Sequence, residues 1–185
     1  MTVRVFNYAE VSSATLAEAE GEATRVFERV GLAVAWIDCR PPAGSAPRPA
    51  VCAELLGPTD LALRILPGSK TARATLGEDT LGYAVISGGR GSMASVFHYR
   101  VKALAEGGMV SHCQALGHAM AHEIGHLLLG TAEHSSRGIM RARWEREDLR
   151  DAARRCLVFD PQQANRIRRE VGVRRSLALN SQTQR

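Results

Sequence analysis

The amino-acid sequence predicts an α+β fold in which a five-stranded sheet is followed along the chain by helices. Short runs rich in β-branched and aromatic residues lie in the first hundred residues, whereas apolar residues recur at helical spacing before and after them. The 185 residues, 45% hydrophobic and 23% charged, are typical of one soluble globular domain. We expect a single domain over 1–185, with subdomains at 1–130 and 131–185.

The first predicted unit is strand, helix and strand. Residues 3–8 (VRVFNY) alternate between apolar and polar side chains, as a half-buried strand does. Thr15 and Glu18 then form a predicted capping box, and the helix that follows ends at Gly31. Residues 32–37 (LAVAWI) are a continuous apolar run, which favours a buried strand reached by a crossover helix.

Three more strands are predicted, at residues 61–66, 81–87 and 93–101. Loops separate them from the first unit and from one another. Residues 40–50 contain four prolines, which exclude both a helix and a central strand. Residues 69–80 are expected to form a loop, and the glycine-rich GGRGS segment connects the last two strands.

A long helix is predicted over residues 112–129. Ser111 is a favourable N-cap for this helix, and Gly130 can end it by adopting a left-handed conformation. Apolar residues such as Leu116 and Ile124 recur along it at helical spacing, so one face of the helix is expected to lie against the sheet.

The C-terminal part is predicted to be helical and basic. One helix is expected over 145–158, and Asp160 followed by Pro161 indicates the start of another. Residues 174–185 are expected to be frayed. Residues 131–185 carry 13 arginines and lysines against 7 acidic residues. Basic segments can bind nucleic acid, but arginine mixed with acidic residues on a helix favours a solvated surface, so nucleic acid is not an expected partner.

The chemistry of the chain is indicated by His122-Glu123-Ile124-Gly125-His126. Residues i and i+4 share one face of a helix, so His122 and His126 can both reach one metal ion, and H-E-x-x-H on a helix is typical of zinc sites. Glu123 is oriented partly around the helix and can contact a water molecule on the metal. The predicted cofactor is Zn²⁺, with Glu123 as general base.

A catalytic zinc ion needs a third protein ligand, and His134 is the favoured candidate. Gly130 can turn the chain, and the four residues that follow can span the distance back to the metal. His118 lies one turn before His122 and is expected to pack near the site. The alternative third ligands are Glu133, Glu145 and Glu147.

The segment HEIGHLLLGTAEHSSRGIM resembles the zinc-binding signature of the metzincins, especially the matrixin-like peptidases, with Ser135 after the last histidine and Met140 at the Met-turn. The resemblance implies a zincin with a twisted mixed five-stranded sheet, a crossover helix, an active-site helix and a small helical C-terminal subdomain. In the family, glycine and the third histidine follow the second histidine by three and six residues. Here Gly130 and His134 follow His126 by four and eight.

The resemblance also implies a zinc-dependent endopeptidase. A peptide or protein substrate would extend along residues 81–87, taken as an edge strand, and residues 141–144 would help to form a side-chain pocket. Two alternatives stay open: a metal-dependent nuclease, and a non-catalytic zinc-binding domain in which a fourth ligand closes the site.

The cysteines and the N-terminus bear on the cellular compartment. No secretory signal is evident in the first residues, so the chain as written is expected in the cytoplasm, or outside it if its N-terminus has been trimmed. Cys39 and Cys52 flank the proline-rich loop and could form a disulfide in an exported protein. A monomer without a membrane span is expected.

Overall fold

The computed structural model describes residues 1–40, 47–68 and 80–183. Its strands are β1 (Thr2–Asn7), β2 (Ala35–Asp38), β3 (Asp60–Leu66), β4 (Gly82–Ser87) and β5 (Arg90–Phe97). Its α-helices are α1 (Ser13–Glu28), α2 (His98–Glu106), α3 (His112–Leu129), α4 (Arg146–Ala153) and α5 (Pro161–Thr183), and a 3₁₀ helix spans Ala50–Ala53.

The strands form one mixed sheet in the order β2-β1-β3-β5-β4. Strands β2, β1, β3 and β5 are parallel to one another, and β4 pairs antiparallel with β5 at the edge. Gly88 and Gly89, both with positive φ, make the tight turn that antiparallel neighbours permit. The predicted α+β class and mixed five-stranded sheet are therefore confirmed.

Helices α1 and α3 pack together against one face of the sheet. Alternate strand residues such as Val5, Leu63 and Val96 are fully buried and belong to the same core as Phe27 of α1 and Leu116 of α3. Burial of this apolar face is what attaches the long helix α3 to the sheet.

The opposite face of the sheet carries a buried arginine. Arg4 donates hydrogen bonds to the carbonyl oxygens of Val51 (2.6 Å) and Glu54 (2.7 Å) and pairs with the Asp60 carboxylate at 2.6 Å. The segment that contains Val51 and Glu54 is also joined to the end of β2, by the Cys39–Cys52 disulfide that the sequence allowed. These bonds hold residues 47–60 over the sheet. Most of the predicted proline-rich loop, 41–46, lies outside the described residues.

The start of α1 and the start of β2 differ from the sequence prediction. The N-cap is Ser12, whose hydroxyl accepts from the Thr15 amide, so the predicted capping box of Thr15 and Glu18 is wrong. Strand β2 begins at Ala35 rather than at residue 32, because the Leu32 amide bonds back to the Phe27 carbonyl and completes the helix C-cap.

The predicted strand over 93–101 is partly wrong, because His98 begins helix α2. Strand β3 pairs with β5 only as far as Phe97. The last hydrogen bond on the other side of β5 runs from the Phe97 amide to the carbonyl oxygen of Leu81, just before β4. Beyond Phe97 neither neighbouring strand offers partners, so the backbone satisfies its own hydrogen bonds as a helix that packs on α3. The predicted loop at 69–80 lies outside the described residues except for Thr80.

The C-terminal helices also differ in length from the prediction. Helix α4 ends at Ala153, and Arg155 adopts a positive φ that turns the chain. Helix α5 continues to Thr183 instead of fraying from residue 174, because the buried Arg174 donates to the carbonyl oxygen of Gly91 on the sheet. None of the described helices is long and apolar enough to cross a membrane.

One half-buried carboxyl on α1 should make stability depend on pH. Burial, and secondarily the charge of Asp38, raises the pKa of Glu20 to about 7 from its ordinary 4.5. Because this folded-state pKa is raised, the stability associated with protonated Glu20 is present below pH 4.5 and is lost as the pH rises towards 7. Glu20→Gln should therefore stabilise the protein by roughly 1–2 kcal/mol at pH 8, after allowance for solvent screening, and have little effect at pH 4.

Denaturant titrations of the wild type and of Glu20→Gln at both pH values measure this difference. Glu28→Gln, an exposed carboxyl on the same helix, is the matched control. An equal shift at pH 4 and pH 8 would show that the Glu20 charge is not the cause.

Candidate metal centre and cleft

Helix α3 carries buried polar side chains, which are unusual in a protein core, and three of them belong to the H-E-x-x-H motif. His122, Glu123 and His126 are 7%, 3% and 4% exposed. The helix is capped by Ser111, whose side chain accepts from the Gln114 amide, and it ends at Gly130, which has φ 64°. Buried polar groups of this kind are costly without partners, so their surroundings indicate what they do.

The two histidines are oriented by backbone carbonyl groups. His122 Nδ1 donates to the Ile139 oxygen at 2.7 Å, and His126 Nδ1 donates to the Thr131 oxygen at 2.8 Å. A carbonyl oxygen only accepts, so each Nδ1 carries the proton and each Nε2 presents a lone pair. The Nε2 atoms lie 3.1 Å apart and face each other.

His134 is brought to this pair by the loop after α3. Its ring centroid lies 5.4 Å from that of His122 and 4.8 Å from that of His126. The loop is braced beyond it, where the Ser135 amide donates to the Met140 carbonyl oxygen at 2.9 Å. The histidine itself is exposed at the mouth of the site.

The alternative third ligands lie elsewhere. Glu145 accepts from Arg141 at 2.7 Å and caps α4, and Glu147 is exposed in the first turn of that helix. Glu133 is exposed beside His134 but does not join the cluster. Over the described ranges, the one group of at least three potential metal-ligating residues consists of His122, His126 and His134.

The donor set fits a divalent metal ion. All three ligating atoms lie within 4.8 Å of one another. Zinc–nitrogen bonds of about 2.0–2.1 Å in tetrahedral geometry separate two ligand nitrogens by roughly 3.3 Å, close to the 3.1 Å between the two helical Nε2 atoms. Two lone pairs facing each other at this distance repel unless a cation lies between them, so the arrangement is one that a metal would stabilise.

Burial keeps the three histidines of the cluster neutral. Desolvation lowers the pKa of His122 to about 3 and that of His126 to about 4, and burial also lowers the pKa of His134. Neutral imidazole is the form that binds a metal, so the site is ready for metal at neutral pH.

Glu123 lies beside the cluster in a buried position. Within the described residues its buried Oε2 has no hydrogen-bond partner, and burial raises the pKa of the carboxyl group to about 8 in the metal-free protein. An orphaned buried carboxyl is expensive, and groups of this kind concentrate at functional sites.

Met140, the residue of the predicted Met-turn, lies beneath the helix. It is buried, and an added Cβ on Gly125 would lie 2.8 Å from its sulfur and 2.7 Å from Phe159 Cε1. Gly125 therefore allows Met140 and Phe159 to pack against the helix between the two histidine ligands. Packing alone also explains a buried methionine, so the Met-turn stays a prediction.

His118 belongs to the packing around the site. Its Nδ1 bonds to the Gln114 carbonyl oxygen at 2.8 Å, and its ring lies edge-on to Trp144 with centroids 6.4 Å apart. Trp144 also contacts the His122 ring and donates to the Ile139 oxygen at 3.1 Å. Trp144 thus shares a carbonyl group with His122 and holds one wall of the site.

A cleft of about 760 Å³ opens over the three histidines and Glu123. Residues 141–144, predicted to form a pocket, line it. Four other lining residues were not predicted, partly because residues 98–101 were expected to continue a strand: Tyr83, Tyr99, Arg100 and Leu104. An arginine buried among aromatic residues is the signal that could have identified this wall.

Gly82 lets the edge strand approach the carboxyl group. An added Cβ at this position would overlap the Ser95 carbonyl oxygen and lie 2.7 Å from Glu123 Oε1.

Gly82→Ala must push β4 away from β5 or displace Glu123, so we expect a loss of about 1–3 kcal/mol in the free energy of unfolding. Denaturant titration measures it. Gly21→Ala, in open space on α1, should be neutral or stabilising, and equal effects of the two would contradict this account.

The comparisons with known proteins bear on the fold. No protein-family model matches the chain, and none of the curated proteins matches its sequence. Among solved structures, the crystal structure of a zinc-dependent peptidase from Methanocorpusculum labreanum matches with a TM-score of 0.56 and 19% identity, covering 89% of this chain and 99% of that one. The two proteins therefore share a fold.

Proposed function

We propose that this protein is a zinc-dependent endopeptidase in which His122, His126 and His134 hold the metal and Glu123 is the general base. The observation that carries the proposal is the convergence of three imidazoles beside a buried carboxyl group without a partner, at the floor of an open cleft. A neutral donor set next to a potential base is the arrangement that metal-assisted hydrolysis uses.

The shared fold supports this proposal. The structural neighbour is described as a zinc-dependent peptidase, and the alignment covers almost all of that chain. The predicted metzincin-like features, a Met-turn at Met140 and a lengthened loop to His134, are part of the proposal. The buried position of Met140 under the helix supports the first of these features.

Zinc bound to the three histidines would act as a Lewis acid on a water molecule and on the scissile carbonyl group. Glu123 would accept a proton from the water at its unpartnered Oε2 and deliver it to the leaving amine nitrogen. The carbonyl groups of Ile139 and Thr131 would keep the two helical imidazoles in the metal-binding tautomer.

The edge strand is the proposed binding surface for the substrate backbone. Among the described strands β4 pairs only with β5, so the main-chain groups on its other side can bond to an extended peptide. Antiparallel addition is the more common mode and continues the antiparallel pairing of β4. Gly82 adjoins Glu123, so the scissile bond is expected beside this residue.

The nuclease alternative rests on arginines at the cleft, because cationic groups also bind phosphate. A protonatable carboxyl group directly after the first histidine favours peptide hydrolysis, where the leaving amine must receive a proton. A closed structural zinc site is disfavoured because, among residues whose positions are described, the cluster contains three ligands and opens into a cleft.

Metal removal tests the proposal directly. Protein dialysed against a chelator should lose cleavage of an unstructured protein such as casein, and one equivalent of zinc should restore it. The same samples are incubated with single-stranded RNA. Zinc-dependent RNA cleavage without peptide cleavage would replace the peptidase proposal by the nuclease alternative, and tight zinc binding without either activity would support a non-catalytic domain.

A further inference from the structure

The Ile139 carbonyl oxygen accepts two hydrogen bonds at the edge of the metal cluster. One comes from His122 Nδ1 at 2.7 Å, and the other comes from the indole N–H of Trp144 at 3.1 Å. A carbonyl oxygen carries two lone pairs, so it can accept from both donors at once and neither displaces the other. Ile139 therefore links a proposed metal ligand to an aromatic side chain that is not a ligand.

The backbone on either side of this carbonyl group is held in place. The Ile139 amide donates to the Val158 carbonyl oxygen at 3.2 Å. The Met140 carbonyl oxygen accepts from the Ser135 amide at 2.9 Å. Gly138, with φ 73°, lets the chain turn immediately before Ile139. Between these fixed points, the two donors to the Ile139 oxygen set the direction of its carbonyl group.

The Trp144 side chain is itself firmly placed. It is 8% exposed, and its ring lies edge-on to the rings of His122 and His118, with centroid distances of 6.0 and 6.4 Å. The next residue, Glu145, caps α4, and its amide donates to the Asp148 carboxylate at 2.8 Å. Because both the ring and the adjoining backbone are held, the indole N–H has a defined direction.

The orientation of the His122 ring matters because its two nitrogens have different tasks. Nδ1 donates to the carbonyl group, whereas Nε2 faces the Nε2 of His126 at 3.1 Å. Rotation of the ring moves Nε2 away from the position between the two histidines, and a zinc–nitrogen bond of about 2.0–2.1 Å tolerates little displacement. Groups that orient a metal-binding histidine therefore contribute to metal affinity.

We propose that Trp144 is a positioning residue for the metal centre: its indole N–H fixes the Ile139 carbonyl group, which in turn orients His122 towards the metal. The inference rests on the proposed zinc site and adds a residue outside the three ligands. Without the indole N–H, the carbonyl group loses one of its two directional constraints, and the His122 ring can reorient with it. Trp144 also lines the cleft, so the surface that a substrate contacts includes the residue that orients a ligand.

Zinc affinity of tryptophan variants, measured by competition with a chromophoric chelator, tests this role. Trp144→Phe keeps an aromatic ring but removes the N–H, and it should weaken zinc binding about tenfold. Trp36→Phe is the matched control, because the Trp36 indole also donates a hydrogen bond, to the Thr24 hydroxyl at 2.8 Å. Trp36 lies on β2, at the edge of the sheet opposite β4, and its substitution should leave the affinity within about twofold.

Two tryptophan analogues separate the N–H group from the packing of the ring. In the Trp36→Phe background, Trp144 is replaced either by benzothienylalanine, which has sulfur in place of the N–H, or by fluorotryptophan, which keeps the N–H. Both have nearly the size of tryptophan, so both preserve the ring contacts and the fold. We expect benzothienylalanine to weaken zinc binding about tenfold and to alter the visible spectrum of the cobalt-loaded protein, and fluorotryptophan to do neither.

The outcomes distinguish this inference from the proposed function. Equal zinc affinities and cobalt spectra for the two analogues overturn the positioning role, even if Trp144→Phe binds zinc weakly, because the ring then acts by packing alone. A wild-type protein that binds no zinc overturns the proposed zinc site and this inference with it. Zinc binding that depends on the N–H, without any peptide cleavage, supports the positioning role and overturns the peptidase proposal.

Discussion

Replacing Glu123 with glutamine is expected to lower kcat for peptide hydrolysis by about 10²–10⁴-fold while the zinc content stays that of the wild type. Glutamine keeps the size of the side chain but cannot accept and return a proton. Glu123 lies at the cleft beside the histidines, and its Oε2 has no hydrogen-bond partner in the part of the chain that the structure describes, so its proposed role is proton transfer. Steady-state rates on one peptide, with metal analysis of the same samples, measure both quantities.

A matched control separates chemistry from damage to the site. Glu106→Gln changes an exposed carboxyl at the end of α2 and should leave kcat within about twofold. Unchanged activity in Glu123→Gln would refute the general-base role, and a simultaneous loss of zinc would show that the glutamate acts in metal binding instead.

Replacing His126 with alanine should weaken zinc binding by more than about 100-fold, a larger loss than substitutions outside the ligand shell produce. His126 provides one of two lone pairs that face each other 3.1 Å apart, and its orientation depends on the Thr131 carbonyl group. In this variant only His122 and the exposed His134 of the cluster remain to bind zinc. Competition with a chromophoric chelator gives the affinity.

The same titration tests the third ligand. His134→Ala should also weaken zinc binding by more than about 100-fold, whereas His112→Ala, on α3 but outside the cluster, should not. If His134→Ala binds zinc as tightly as the wild type, His134 is not the third ligand. Glu133, Glu145 or Glu147 would then be the candidates for that position. Loss of folding is excluded by the far-UV circular dichroism of each variant.

Much of the candidate site could be predicted because it depends on local geometry. His126 follows His122 by four positions, and one helical turn places both on the same side whatever surrounds the helix. Ser111 and Gly130 define the two ends of that helix through interactions within a few residues of the chain, and the structure shows both caps. The alternation of residues 3–8 likewise predicted a strand that the structure contains as β1.

Other features required the tertiary structure because they depend on distant parts of the chain. Residues 98–101 have the composition of a strand, yet they form a helix since neither neighbouring strand extends far enough to pair with them. That helix supplies Arg100 to the cleft, which no local pattern indicated. Arg174 similarly extends α5 through a bond to Gly91 of the sheet.

The sequence by itself determined the helix that carries His122, Glu123 and His126, because capping and helical periodicity act over one or two turns. Only the tertiary structure decided which residue joins them, since His134 approaches through an irregular loop braced at Met140. It also decided that Gly82 of the edge strand lies against Glu123. Long-range packing buries the carboxyl group, and burial raises its pKa to about 8, a property that sequence spacing does not encode.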